Sequence, residues 1–175
     1  MADEKNKAAV ETPSAVSIGG GPATLPPSAS VGYLVRETHR AFTRSLQARI
    51  GPHGVNIGMW FFLRALWEED GISQRTLSQR VHMMEPTTVT ALRNMEKRGI
   101  VRRQRNAADR RVINVFLTPH GLALKELLLP QAAAVNAVAG QSVSADEIEA
   151  LRAILTKIRT NLDRDPVLTA NRPTG

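Results

Sequence analysis

The chain contains no cysteine, so disulfide frameworks, thiolate metal sites and thiol redox switches are all excluded. Its four histidines, His39, His53, His82 and His120, lack the short spacings of a metal site, and no HExxH motif occurs. Phosphate-cradling glycine loops and the nucleophile elbow are also missing, and carboxylates gather only at helix ends. No enzyme activity, cofactor or metal is therefore expected. No apolar run approaches the roughly 18 residues of a membrane span, and the N-terminus lacks the basic-then-apolar order of a secretory signal. These absences predict a soluble, cytoplasmic protein without membrane contact.

Acidic residues are scarce where basic ones crowd. The chain carries 23 Lys+Arg against 16 Asp+Glu, a formal net charge of +7. Between Ile72 and Arg111 stand ten basic residues and three acidic ones, so this one segment holds the whole excess. Positive charge gathered in this way marks a surface for a polyanion. Ordinary solvated helix faces would carry Asp and Glu interspersed, as the last helix does. Nucleic acid is favoured over membrane because the cations are not confined to one face of a single amphipathic helix.

With 175 residues, 42% of them hydrophobic, the chain suits one core with tails. Residues 1–28 are rich in Pro, Gly, Ser and Ala, with Gly19-Gly20-Gly21-Pro22 and Pro26-Pro27, and predict a disordered arm; residues 163–175 predict a C-terminal tail. From Val31, the helical spacing of Leu34, Val35, Thr38, Phe42 and Leu46 predicts a helix ending near Gly51-Pro52. A second helix should follow Asn56. Ser73 suits an N-cap for a short helix from Gln74 to Val81. Glu85-Pro86 opens a further helix to Arg98, with Val89, Leu92 and Met95 on one stripe and Gly99 closing it. Two short helices this close, the second with exposed Thr and Arg, have the layout of a helix-turn-helix. The period then changes: residues 100–105 and 112–117 read as strands joined by Asn106-Ala107-Ala108-Asp109, a β-hairpin with a basic tip, or wing. Thr118-Pro119 restarts a helix to about Ala139, with Pro130 expected to kink it, and Ser144-Ala145-Asp146-Glu147 is a capping box for a last helix through Leu162. The apolar stripe of that last helix, from Leu151 to Leu162, lacks a partner.

The order of elements, together with Leu66-Trp67-Glu68-Glu69-Asp70-Gly71-Ile72-Ser73, Glu85-Pro86-Thr87-Thr88-Val89-Thr90, Lys97-Arg98-Gly99-Ile100-Val101, Asp109-Arg110-Arg111 and Leu117-Thr118-Pro119-His120-Gly121, resembles the MarR family of winged-helix regulators over residues 29–162. The resemblance implies a mainly α fold with a small β-hairpin wing. A winged helix-turn-helix region at about 55–117 would be joined to dimerisation helices at about 30–51 and 119–162. It implies a homodimer on double-stranded DNA, which would give the unpartnered stripe its partner.

In such a regulator the helix from Thr87 onward enters the major groove. Thr87, Thr88, Thr90 and Arg93 are then candidates for base or phosphate contact, and Ser73, Gln74 and Arg75 for holding the backbone. Simple helix capping is the competing account of the threonines. Arg103 and Arg105 are candidates for wing phosphates. Carried over from the family, Asp109 orients its neighbours while Arg110 or Arg111 reaches the minor groove or backbone. The resemblance further implies a repressor released by a small molecule, commonly an aromatic carboxylate or its coenzyme A thioester. Tyr33, Arg36, His39 and Arg40 on the first helix, with Trp60, Phe61 and Arg64 on the second, are its candidate ligands. The alternatives are core aromatics with surface ion pairs, and an architectural or partner-regulated DNA-binding protein without an effector.

Overall fold

Four side chains set where the helices begin. In the computed structural model, which describes residues 30–167, Asn56 accepts the Met59 N–H at 2.9 Å, Ser73 that of Thr76 at 3.0 Å, Thr118 that of Gly121 at 3.1 Å and Ser144 that of Glu147 at 3.2 Å. Each satisfies an N–H that has no partner within its own helix. They open α2 (Ile57–Glu68), α3 (Gln74–Arg80), α5 (Pro119–Ala139) and α6 (Ala145–Asp163). At α6 the Glu147 carboxylate accepts the Ser144 N–H at 2.8 Å in return, completing the capping box. The preceding helix is α1 (Val31–Ile50), and α4 (Glu85–Lys97) starts at Pro in its first turn. The N-terminal arm lies outside the described residues, as does the tail from 168.

The chain divides into two units, residues 1–41 and 42–175. Of the first, the described part is the N-terminal half of α1, where Leu34 and Val35 are exposed. The second holds the core, centred on α2: Met59, Trp60, Phe62, Leu63, Ala65 and Leu66 are buried, so this helix is covered nearly all round. Leu77 of α3, Leu92 and Met95 of α4, Ile100 beyond it, and Leu124 and Leu128 of α5 pack into the same cluster. α4 turns inward along Thr88, Leu92 and Met95, whereas the periodicity alone put Val89 in that row; Val89 is only half-buried.

Strands β1 (Val101–Arg105) and β2 (Ile113–Leu117) pair antiparallel, with Val101 opposite Leu117 and Arg105 opposite Ile113. A third segment, unread from the sequence, lies along the free edge of β2. The Gly71 N–H donates to Val115 O and the Val115 N–H to Ile72 O, both at 2.9 Å, and Ser73 bridges Asn114. Asp70 accepts the Leu117 N–H at 2.8 Å. Gly71 has φ +77°, and a Cβ there would come within 2.6 Å of the Phe116 ring, so only glycine fits.

Helix α5 runs unbroken through Pro130. By length and composition it alone among the described helices could cross a membrane, yet it carries Lys125 and Glu126 and sends Leu124 and Leu128 into the core. Helix α6 buries nothing: Leu151, Ile154, Leu155 and Leu162 are all exposed.

The root of α5 is the tightest joint. A Cβ on Gly121 would stand 2.2 Å from the Ile100 carbonyl oxygen, which itself accepts the Thr118 N–H at 3.1 Å. Helix propensity alone favours Gly121→Ala by about 0.8–1 kcal/mol. The clash with an anchored backbone opposes that gain, and overpacking costs about 1–3 kcal/mol or more. Gly121→Ala should therefore destabilise by about 1 kcal/mol in guanidinium unfolding. A variant as stable as the parent would show that the two backbones do not approach this closely.

Candidate nucleic-acid interface

Most of the candidate DNA residues come together on α3, α4 and the wing. Thr87, Thr90 and Arg93 are exposed along α4, with the Thr90 hydroxyl donating to Pro86 O at 3.1 Å. Arg75 projects from the first turn of α3, nearly four-fifths exposed, with Nε 3.9 Å from Glu85. A recess of about 300 Å³ joins Ser73, Gln74 and Arg75 to Glu85 at the start of α4 and to Arg111 of the wing. At the wing tip Asn106 Oδ1 accepts the N–H groups of Ala108 (2.8 Å) and Asp109 (3.2 Å), fixing the turn. Asp109 then takes Arg111 three ways: backbone N–H at 3.0 Å, Nε at 3.2 Å and Nη2 at 3.3 Å. The Arg111 hydrogen bonds hold the Asp109 carboxyl below its ordinary pKa. Arg105 and Arg110 are exposed beside it.

Two expectations need correction. Thr88 is completely buried, so its hydroxyl cannot reach DNA; with α4 starting at Glu85, position 88 falls on the inward stripe. Arg103 is not free for a phosphate. Its Nε and Nη2 bond Glu96 Oε2 at 3.0 and 2.7 Å, and its backbone N–H bonds Oε1 at 3.0 Å. The Arg103 hydrogen bond is the main influence lowering the Glu96 pKa, although burial works against it. Ser73 is committed as the α3 cap and stands 2.8 Å from the Thr76 hydroxyl. The sequence reading missed Glu96 in this role. It also left Asn94 out of the site residues, although Asn94 shares a groove of about 520 Å³ with Thr87, Thr90 and Asn56.

The candidate effector residues fall into two sets. In the first unit, the Arg36 guanidinium lies over the Tyr33 ring at 5.1 Å, and Arg36 and Arg40 both pair with Glu37 at 3.2 Å; His39 is exposed. In the second, Trp60 is core rather than lining, at 6% exposure, and meets Trp67 edge to face at 5.8 Å. Arg64 lies over the Trp60 ring at 5.8 Å and reaches Glu68 at 3.8 Å. Phe61 and Arg64 do share a cavity of about 590 Å³, closed on its other side by Arg80, Val81, His82 and Met83. Arg80, Val81 and Met83 went unread as ligand candidates. His82 has φ +52°, a left-handed turn between α3 and α4.

A MarR family model matches residues 55–113. The HTH-type transcriptional regulator TtmR of Methylorubrum extorquens is 29% identical over 130 residues, covering 74% of this chain; the chain spans 66% of TtmR, just under two thirds of its length. Transcriptional regulator HosA of Escherichia coli is 31% identical over 96 residues, 55% of this chain and 71% of HosA. The crystal structure of a MarR transcriptional regulator from Methanosarcina mazei Go1 matches with a TM-score of 0.69 at 28% identity, over 76% of this chain and 96% of that one. BpsR of Bordetella bronchiseptica, whose structure concerns regulation of its DNA binding by 6-hydroxynicotinic acid, gives a TM-score of 0.68 at 23% identity, over 74% and 98%. At that identity the BpsR likeness carries the fold alone.

The Glu96–Arg103 pair has a pH signature. A carboxyl whose folded pKa is depressed contributes stability above its ordinary value, here 4.5, and loses it as pH falls through the folded value. Both side chains are partly exposed, so the contribution is below about 1 kcal/mol. Glu96→Gln should thus be slightly less stable than the parent in urea at pH 6, with the gap closing below pH 4.5. A gap that persists at pH 3 would mean that the loss is not ionic.

Proposed function

The chain belongs to the MarR family of winged helix-turn-helix transcription regulators, and from that premise we propose that it binds a pseudo-palindromic operator as a homodimer in the cytoplasm and represses until a small aromatic acid releases it. The carrying observation is the exposure of Thr87, Thr90 and Arg93 along α4 and of Arg105, Arg110 and Arg111 on the wing, with Arg75 of α3, Glu85 of α4 and Arg111 lining one recess. Short hydroxyls and an arginine on a helix suit base edges and phosphates in the major groove, while a basic hairpin suits the flanking minor groove. The bare leucine and isoleucine stripe of α6 supports a second copy as partner. A twofold dimer reads half-sites about one helical turn, roughly 10 base pairs, apart.

For the effector, the cavity beside Phe61 is of ligand size and mixes apolar walls from Phe61, Ala65, Val81 and Met83 with the cations Arg64 and Arg80. That chemistry suits a planar ring bearing a carboxylate, free or as its coenzyme A thioester. Its far wall immediately precedes α4, so filling it acts on the recognition helix. Tyr33 with Arg36 offers the same aromatic-and-cation chemistry on the first unit. One observation favours regulation without an effector: Arg64 is paired with Glu68, and Arg80 with Glu69, so the cavity's cations are already neutralised.

On the duplex that the chain selects from a random pool, Arg111→Ala should weaken binding across all sequences and reduce the salt slope by about one unit, the signature of one lost phosphate contact. An unchanged slope would remove Arg111 from the DNA contacts. Hydroxynicotinic and hydroxybenzoic acids should quench the emission of Trp60 and Trp67, the chain's two tryptophans, and release the duplex; Arg64→Ala should abolish both effects. Release that survives in Arg64→Ala would place the acid elsewhere, and no release with any aromatic acid or thioester would favour the effector-free reading.

A further inference from the structure

Along β1 the side chains alternate, and the two faces have different work. Arg102 and Gln104 point outward, with the Arg102 guanidinium 4.3 Å from the Phe116 ring centre and its Nη1 2.7 Å from Gln104 Oε1. Val101 and Arg103 point the other way; Val101 is in the core, and Arg103 reaches α4. Arg103 is only 22% exposed, and both oxygens of Glu96 are occupied by it. Its remaining Nη1 reaches Gln74 Oε1, at the start of α3, at 3.5 Å. One guanidinium therefore touches the recognition helix, the wing strand and the supporting helix.

We propose that Arg103 is a positioning residue: clamped by Glu96, it fixes the angle between wing and recognition helix so that both engage one duplex together. Glu96 is a carboxylate on the helix that also presents Arg93 and Lys97, where its charge by itself opposes the binding of phosphates. A carboxylate at this position is favourable for binding if the clamp returns more than the repulsion removes. Two groove contacts on a common rigid support act as linked sites, and the second is made at high effective concentration only while the geometry holds. Arg105, two residues further along the same face, stays exposed toward the tip.

The inference rests on the DNA reading above, and charge separates the two accounts. In the full chain, Glu96→Gln raises the net charge by one. Electrostatics alone then predicts equal or tighter binding, whereas the clamp predicts binding weaker by at least about tenfold. On the selected duplex, hydroxyl-radical footprinting should show the wing's protection fading in Glu96→Gln and in Arg103→Lys, which keeps the charge but loses the fork, while protection under α4 remains. Adding Arg111→Ala to Glu96→Gln should cost little more than either change alone, because both remove the same wing contact. Tight binding by Glu96→Gln with an intact wing footprint would overturn the clamp, and so would additive losses in the double variant. Failure of the unmodified chain to select any duplex would instead sink the DNA reading and the clamp with it.

Discussion

The region from Phe42 onward hangs on one strand with both edges filled. β2 pairs with β1 on one side; on the other, Val115 exchanges hydrogen bonds with Gly71 and Ile72, and Leu117 donates to Asp70. A lone two-stranded hairpin is marginal in water, and a wing that frays presents its arginines nowhere in particular. The short segment 70–73 removes that problem, and it is also the link from α2 to the Ser73 cap of α3. Helix order, wing geometry and the start of the helix-turn-helix are thus set by the same four residues. Gly71 is what lets the backbone pass the Phe116 ring.

Charge counted along the sequence overstates the charge on offer. Of the ten cations between Ile72 and Arg111, Arg75, Arg80, Arg103 and Arg111 each have a carboxylate within 4 Å, and Arg98 donates to the Gly54 carbonyl. These pairs are unequal. Arg111 is 91% exposed and Asp109 steers rather than sequesters it, while Arg103 is withdrawn into the structure. Net charge thus attracts a polyanion in general, and the few side chains left outside decide where it sits.

How much was legible follows from range. Caps at Ser73, Thr118 and Ser144 act within three residues, and the sequence reading identified them, as it did the change from helical to strand period after Gly99. Thr88 was misread although the start of α4 at Glu85 was legible: Thr88 and Val89 are adjacent, either lies on a stripe with Leu92 and Met95, and apolar character favoured Val89, whereas the packing of α4 turns Thr88 inward. Arg103 was misread for a different reason: its partner is on the preceding helix, and only the return of β1 against α4 brings them together. The cavity at Phe61 was half seen, since its α2 wall follows from helical spacing but its other wall is a turn with a left-handed histidine that no local pattern announces.

The closeness of Gly121 to Ile100, with the Trp67 indole N–H donating to Gly121 O at 3.0 Å, makes the base of α5 a bearing. From Gly121 helix α5 runs on to Ala139 and so projects about 27 Å from that bearing at about 1.5 Å per residue. A tilt of roughly five degrees there sweeps its far end through about 2 Å on that arm length. Mechanically, α5 is a lever with a stiff fulcrum, and rotations too small to disturb the packing at its root become a displacement of about 2 Å at its tip.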